Sequence, residues 1–169
     1  MRAGMRLIRF DVNDATLRAD FDRNVLVQAL GELAVETPAQ WGRMTAQQMV
    51  EHLEWTYMLS TGKHRIECLV PEANRDRLKR FLYQATPTPR EFSNPALAGG
   101  LPALKHASLA AARDALQKEV EEFWNRTAEE LKELHTHPLF GPIGADEWSR
   151  THFKHGCHHL MQFGLIELG

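Results

Sequence analysis

Near its C-terminal end the chain reads Glu147-Trp148-Ser149-Arg150-Thr151-His152-Phe153-Lys154-His155-Gly156-Cys157-His158-His159-Leu160-Met161-Gln162-Phe163-Gly164. At helical spacing, Trp148, His152, His155, His159 and Gln162 fall on one stripe, at steps of four, three, four and three. Such a stripe normally faces the interior of a helical assembly and carries Leu or Ile. Here it carries three imidazoles and an amide. Each buried polar group left unpaired costs about 1–3 kcal/mol, so the fold has to satisfy several of them together. A divalent metal does this in one step. His155 and His159, one turn apart, can aim two ring nitrogens at one point, the i, i+4 geometry of helical zinc sites.

The histidines are also unevenly spread: six of the nine fall between His135 and His159, which points to a local site. The remaining composition excludes other classes. With 22 acidic and 20 basic residues the net charge is −2, and no basic, aromatic-rich run suggests nucleic acid as a partner. Cys68 and Cys157 lie far apart, which fits a reducing compartment better than a disulfide framework. The first residues lack an apolar secretory core, and no apolar run approaches the roughly 18 residues that span a bilayer. The expectation is a cytoplasmic protein without a membrane partner. Its 169 residues fit a single domain over 1–169.

Taken in order, residues 1–13 read as an arm, partly extended at Arg6-Leu7-Ile8-Arg9-Phe10. A first helix is predicted from Asp14 to about Val35, with Leu17, Phe21, Val25, Leu26, Leu30 and Leu33 on its apolar side, ended by Thr37-Pro38. A second begins at Thr45-Ala46-Gln47-Gln48, a capping box, and runs through Leu59 to stop near Gly62. Gln48, His52, Trp55 and Leu59 form its inward stripe. Residues 63–107 contain Pro71, Pro87, Pro89, Pro95, Pro102 and Gly99-Gly100, and read as loop around one short helix at 74–85. Such a length suggests a lid or a long crossover. A third helix is predicted from the Ser108 cap to His135, with Leu131 and Leu134 on its stripe and His135 and His137 suited to the dipole of its end. After a tight turn over Pro138–Gly144, a fourth runs from Gly144 as N-cap, with Glu147 completing the cap, to Leu165–Leu168. No β-rich region stands out. The expected class is all-α: an antiparallel four-helix bundle with a long connection between helices 2 and 3. Such bundles build metal sites from facing helices.

The candidate metal ligands are therefore His155 and His159 from the fourth helix and His52 from the second. Three neutral imidazoles suit several divalent ions, and three protein ligands leave a coordination position open, as in catalytic zinc sites. The bland alternative is that these are hydrogen-bonded core or surface histidines. Gln162 can orient a ligand, or be a buried amide bonded to backbone. His152, one turn before His155, is the candidate catalytic residue as a proton carrier at the site mouth. Gln48, Trp55 and Trp148 are candidate pocket residues. His158 falls at the margin of the stripe and Cys157 points away from it.

The segment Trp41-Gly42-Arg43-Met44-Thr45-Ala46-Gln47-Gln48-Met49-Val50-Glu51-His52-Leu53, followed by His155-x-x-x-His159-x-x-Gln162, resembles the DinB/YfiT-like superfamily. His137-Pro138-Leu139-Phe140-Gly141 through Glu147-Trp148, then His158-His159-Leu160-Met161-Gln162-Phe163-Gly164-Leu165, resembles an uncharacterised DinB-like subfamily. The resemblance implies a helical bundle of that type. One histidine of the second helix and two of the fourth, here His52, His155 and His159, would bind a divalent metal, zinc or nickel. It also implies a homodimer, and for several relatives a metal-dependent S-transferase activity on low-molecular-weight thiols such as bacillithiol or mycothiol; others resemble hydrolases or isomerases. The 63–107 connection and the extra His152 and His158 depart from the short family pattern. Two functional expectations follow. One is an enzyme of the thiol S-transferase or hydrolase class acting on a small-molecule substrate at an open three-His site. The other is a non-catalytic binding or stress-response bundle whose metal is structural or absent, suggested by the lack of an inward carboxylate for acid–base work.

Overall fold

The computed structural model describes residues 5–169; the first four residues of the expected arm lie outside the described residues. The element order is β1 (Arg6–Ile8), α1 (residues 15–30), α2 (Ala46–Ser60), α3 (Glu72–Lys79, continued by a 3₁₀ turn over Arg80–Tyr83), α4 (Leu109–Trp124), β2 (His135–His137), β3 (Gly141–Ile143), α5 (Ala145–Gln162) and β4 (Ile166–Leu168). The all-α four-helix bundle is thereby corrected. Five helices share the fold with two sheets of two strands each, β1 parallel to β4 and β2 antiparallel to β3, so the class is mixed α/β.

The local reasons are legible. α5 stops at Gln162 rather than at Leu165–Leu168 because Gly164 takes a left-handed φ of 69°. Its amide then bonds Met161 O at 3.0 Å, and the Leu165 amide bonds Leu160 O at 2.9 Å, a paired reversal that closes the last turn. The freed residues become β4, in register Arg6↔Ile166 to Ile8↔Leu168. The expected third helix also ends early, at Trp124. Arg126 bonds back to Phe123 O and across to Ser60 O, and Thr127 starts a new turn against Glu130. Leu131 and Leu134, placed on that helix's stripe, are instead exposed. His135 and His137 therefore sit in a β-hairpin, not at a helix end, and the dipole explanation for them does not apply.

α1 begins at the Asp14 cap as expected but ends at Leu30 instead of Val35. The cause is tertiary: Arg113 on α4 donates to the carbonyls of Leu30, Gly31 and Leu33 at 3.0, 3.3 and 3.2 Å. Its middle, Phe21–Leu26, is a π-helical turn that turns Phe21, Asp22 and Leu26 inward. The α2 capping box forms as expected. Gly144 is the α5 N-cap, but Glu147 does not complete a box; its carboxylate accepts from Tyr83 Oη at 3.1 Å. Residues 63–107 are mostly irregular, with α3 and short 3₁₀ turns.

The core lies where α2, α4 and α5 meet α1. Leu53 and Tyr57 of α2, Leu116 and Val120 of α4, and Phe153 and Leu160 of α5 are all at most 1% exposed. Full burial of one such side chain stabilises by ~1.5–3 kcal/mol. Arg18 locks α1 to α5 from inside: it is 2% exposed and donates to Ser149 Oγ, Asp146 Oδ1 and Val12 O. The pairing of a buried cation with three acceptors limits the cost of its desolvation. No helix among the described residues is long and apolar enough to cross a membrane.

Candidate metal centre

His155 and His159 share a face of α5 because they are one turn apart. His52 reaches them from α2. The three Nε2 atoms converge: His155 Nε2 lies 2.9 Å from His52 Nε2 and 3.0 Å from His159 Nε2. The structure thus brings together all three residues proposed as ligands. The neighbourhood is held from outside as well. The Gln40 amide donates to Gln162 O at 2.7 Å, which pins the chain before α2 onto the last turn of α5. Gly42 then turns with a φ of 79°; a Cβ there would stand 2.7 Å from Gln162 Nε2.

A chain of hydrogen bonds decides the protonation of His159. Trp41 O can only accept, so the Gln162 atom 2.9 Å from it is the amide nitrogen. This turns Gln162 Oε1 toward His159 Nδ1, at 2.7 Å, and Nδ1 must carry the proton. A neutral imidazole has one N–H, so His159 Nε2 presents a bare lone pair to the centre. Burial favours neutral rings throughout. It holds His159 and His155 well below the ordinary imidazole pKa, helped by the neighbouring histidines, and lowers His52 to about 4 with a smaller contribution from His158.

That arrangement fits a cation better than a hydrogen-bonded cluster. His155 Nε2 makes two close contacts and has at most one hydrogen to share between them. A divalent ion accepts all three lone pairs at once. Tetrahedral zinc, with Zn–N of ~2.0–2.1 Å, sets its nitrogens ~3.3 Å apart, so rings now at 2.9 and 3.0 Å need spread only slightly. Gln162, bonded to the far nitrogen of His159, supplies the orienting contact that metal-ligating histidines usually have.

The three rings stand in the wall of a cavity of about 750 Å³. This is within the ~300–1,000 Å³ range of small-molecule sites. Its walls come from the 41–44 turn, α2, α3 with its 3₁₀ extension, the irregular connection, the hairpin and α5. Trp55 lines it and stacks on His52 with centroids 6.2 Å apart. The connection is strapped over α5: Lys154 Nζ donates to Thr86 O at 2.7 Å, and Thr88 O lies 3.4 Å from His158 Nδ1. On the other side, Glu51 accepts from the backbone amides of Lys105 and His106, and Glu54 meets Lys105 Nζ and His106 Nε2.

Not every residue singled out in the sequence joins this centre. His152 is 2% exposed and lies outside the cavity wall. Its Nε2 is 2.8 Å from Ser60 Oγ, and its ring lies flat on Tyr57 with centroids 3.7 Å apart. Burial keeps it neutral. Trp148 is fully buried and donates to His135 O at 3.1 Å, again away from the cavity. Gln48 is occupied by the capping box and borders a smaller pocket of about 280 Å³ beside Trp55. Cys157 is buried, with its thiol pKa pushed up, and Cys68 is likewise a free thiol.

Other wall residues escaped sequence reasoning. His137 lines the cavity; its Nδ1 accepts from the Leu139 amide at 3.1 Å and burial lowers its pKa to about 3. Lys154, lowered to about 8 by burial, and several arginines also line it. The one available signal for Lys154 was its place beside His155 on the same helix. Of the arginines, Arg77 and Arg80 lie on α3 and its 3₁₀ extension, while Arg90 lies in the irregular stretch that follows, where spacing says nothing about facing. No protein-family model matches the chain, and no curated protein or solved structure matches it.

Proposed function

We propose that His52, His155 and His159 hold a divalent metal, zinc or nickel, and that the chain is a metal-dependent enzyme of the thiol S-transferase or hydrolase class. The observation that carries this reading is three imidazole Nε2 atoms meeting in the wall of a large cavity. The DinB/YfiT-like pattern of Trp41 to Leu53 and His155 to Gln162 supports it. When bound, the ion would supply Lewis acidity and hold a thiol or water deprotonated near neutral pH. The protein's own part is positional. Gln162, anchored on Trp41 O, keeps the His159 lone pair aimed inward. Trp55 stacks beside His52, and Thr88 O of the strap meets His158 next to the centre. The two free cysteines support a reducing, cytoplasmic setting.

The test is metal content by mass spectrometry on untagged protein, followed by turnover of a low-molecular-weight thiol with an electrophile. Near-stoichiometric metal is expected in the wild type and none in His52→Ala or His155→Ala. Turnover should vanish in His159→Ala while the far-ultraviolet circular dichroism is kept. Unchanged turnover in that variant, or no metal after reconstitution, overturns the reading. A second reading, a non-catalytic protein with a structural metal or none, is favoured by one observation: no Asp or Glu lines the cavity among the described residues. It predicts that removing the metal lowers Tm while added thiol leaves the metal's spectrum unchanged.

A further inference from the structure

The charge around the cavity is one-sided. Its wall contains Arg43, Arg77, Arg80, Arg90 and Lys154, and no carboxylate. In a chain of net charge −2 this is an inversion of the average surface. None of these five cations has a carboxylate within ion-pairing distance among the described residues. Several cations elsewhere do find acids, Arg6 with Glu32, Lys63 with Glu119, Lys105 with Glu54 and Arg18 with Asp146, and others, such as Arg113 and Arg126, are answered by backbone carbonyls.

Lys154 is the most constrained of the five. It is 2% exposed, and its ammonium makes one hydrogen bond, to Thr86 O, while lying 3.6 Å from the Phe81 ring centroid. An ammonium has three donors. A buried one with neither counter-ion nor full hydrogen bonding is costly. Arg90 is also placed rather than free: its guanidinium stacks on Trp41 at 4.4 Å. Trp41 in turn meets the His158 ring, and His158 meets His159. Between the cations the wall is apolar, with Trp55, Phe81, Leu101 and Phe140.

We propose that this cavity takes an amphipathic organic anion, its acid group (carboxylate, sulfonate or phosphate) at Lys154 and the arginines and its apolar body on the aromatic wall. The assignment names the substrate class for the three-His centre and rests on the reading of that centre as a substrate site. The ligand's acid group supplies the counter-charge that the wall lacks. It also explains why acidic side chains are kept out: one Asp or Glu there would pair with the cations and compete with the ligand. A small neutral substrate has no use for five unpaired cations.

The test needs no turnover. Binding of anilinonaphthalene sulfonate and of its uncharged parent, phenylnaphthylamine, is measured by calorimetry on the full chain after incubation with zinc. The sulfonate should bind at least about tenfold more tightly than the neutral probe, and added salt should narrow the gap. Lys154→Met should cut sulfonate affinity about tenfold and leave the neutral probe within about twofold. Arg77→Gln combined with Arg90→Gln, both at exposed positions and so tolerable to the fold, should do the same in part. Equal affinity for the two probes, a preference unchanged in both variants, or binding of neither probe overturns the proposal. Metal content read on the same samples separates the two ideas. Sulfonate preference without metal sinks the enzyme reading alone; metal without sulfonate preference sinks this one alone.

Discussion

Two groups of histidines stand on and around one helix face, and they meet opposite fates. At the end of α5, His155 and His159 join His52 with their Nε2 atoms about face to face and a cavity in front of them. One turn before His155, His152 is stacked flat on Tyr57, packed against Trp148 and Phe123, and bonded to Ser60 Oγ. Both groups are buried and both are held neutral by burial. The difference lies in what faces the free nitrogen. His152 donates from Nε2 to Ser60 Oγ, whose own hydrogen goes to Tyr57 O, and its bare Nδ1 is closed in among aromatic rings with no partner and no open volume. The Nε2 atoms of the lower three are answered only by one another. Spacing and burial are alike in the two; only the lower three set a convergence of unmatched lone pairs beside open volume.

The largest test of this contrast is deletion at the lower group. His155→Ala should weaken metal binding by more than about a thousandfold, since it removes the central one of the three proposed ligands, while far-ultraviolet circular dichroism stays intact; equilibrium dialysis with zinc reads it. Retained affinity would put the two groups on the same footing. The mirror experiment is His152→Ala. It should leave metal affinity unchanged and lower unfolding stability by ~2–3 kcal/mol, through a cavity among aromatic rings and the loss of the donor to Ser60 Oγ, whose own hydrogen stays on Tyr57 O. Metal loss in that variant would erase the distinction. Gln162→Leu sharpens it. Removing the partner that fixes the His159 tautomer should cost about 10–100-fold in metal affinity; no change would mean the ring is oriented by packing alone.

The smallest effect concerns a buried acid that neither group uses. Asp22 is fully buried on the π-helical turn of α1, where its Oδ2 accepts from Trp124 Nε1 at 3.1 Å. Its Oδ1 and the neighbouring Tyr57 hydroxyl make no well-formed hydrogen bond. Burial raises its pKa from 3.8 to about 8, against the lowering effect of Tyr57 and Trp124. The folded state therefore keeps its proton over a range in which the unfolded chain has lost it, and this group makes stability fall as pH rises from about 4 to about 8. Asp22→Asn should flatten that slope and leave the variant more stable than wild type by about 1 kcal/mol or more above pH 8. Urea midpoints across pH measure it; a wild-type curve without the slope would show Asp22 ionised and paired.

Much of the candidate site was legible because its signals are local. The i, i+4 pair His155 and His159, the inward place of His52 four residues past the Thr45–Gln48 capping box, and Gln162 one turn beyond His159 all follow from a 3.6-residue period. Gly164 after Gln162-Phe163, with Leu165 behind it, was a legible stop signal for α5 that periodicity alone overran. His152 shows the limit: its direction on the helix was readable, but the Tyr57 and Phe123 rings that enclose it come from other helices.

By itself the amino-acid sequence determined what short-range chemistry can determine: where α2 and α4 begin, at Thr45 and Ser108, which faces of the helices are apolar, and which histidines share a stripe. Tertiary structure alone decided the rest. Strand β1 finds β4 across nearly the whole chain, so neither segment carries a pairing signal on its own. The first helix ends where Arg113 of α4 collects its carbonyls. The cavity owes three of its five cations, Arg77, Arg80 and Arg90, to the 63–107 connection, whose facing is set by straps such as Lys154 to Thr86. Contacts between residues distant in the chain depend on how the whole core closes, and no local window contains that information.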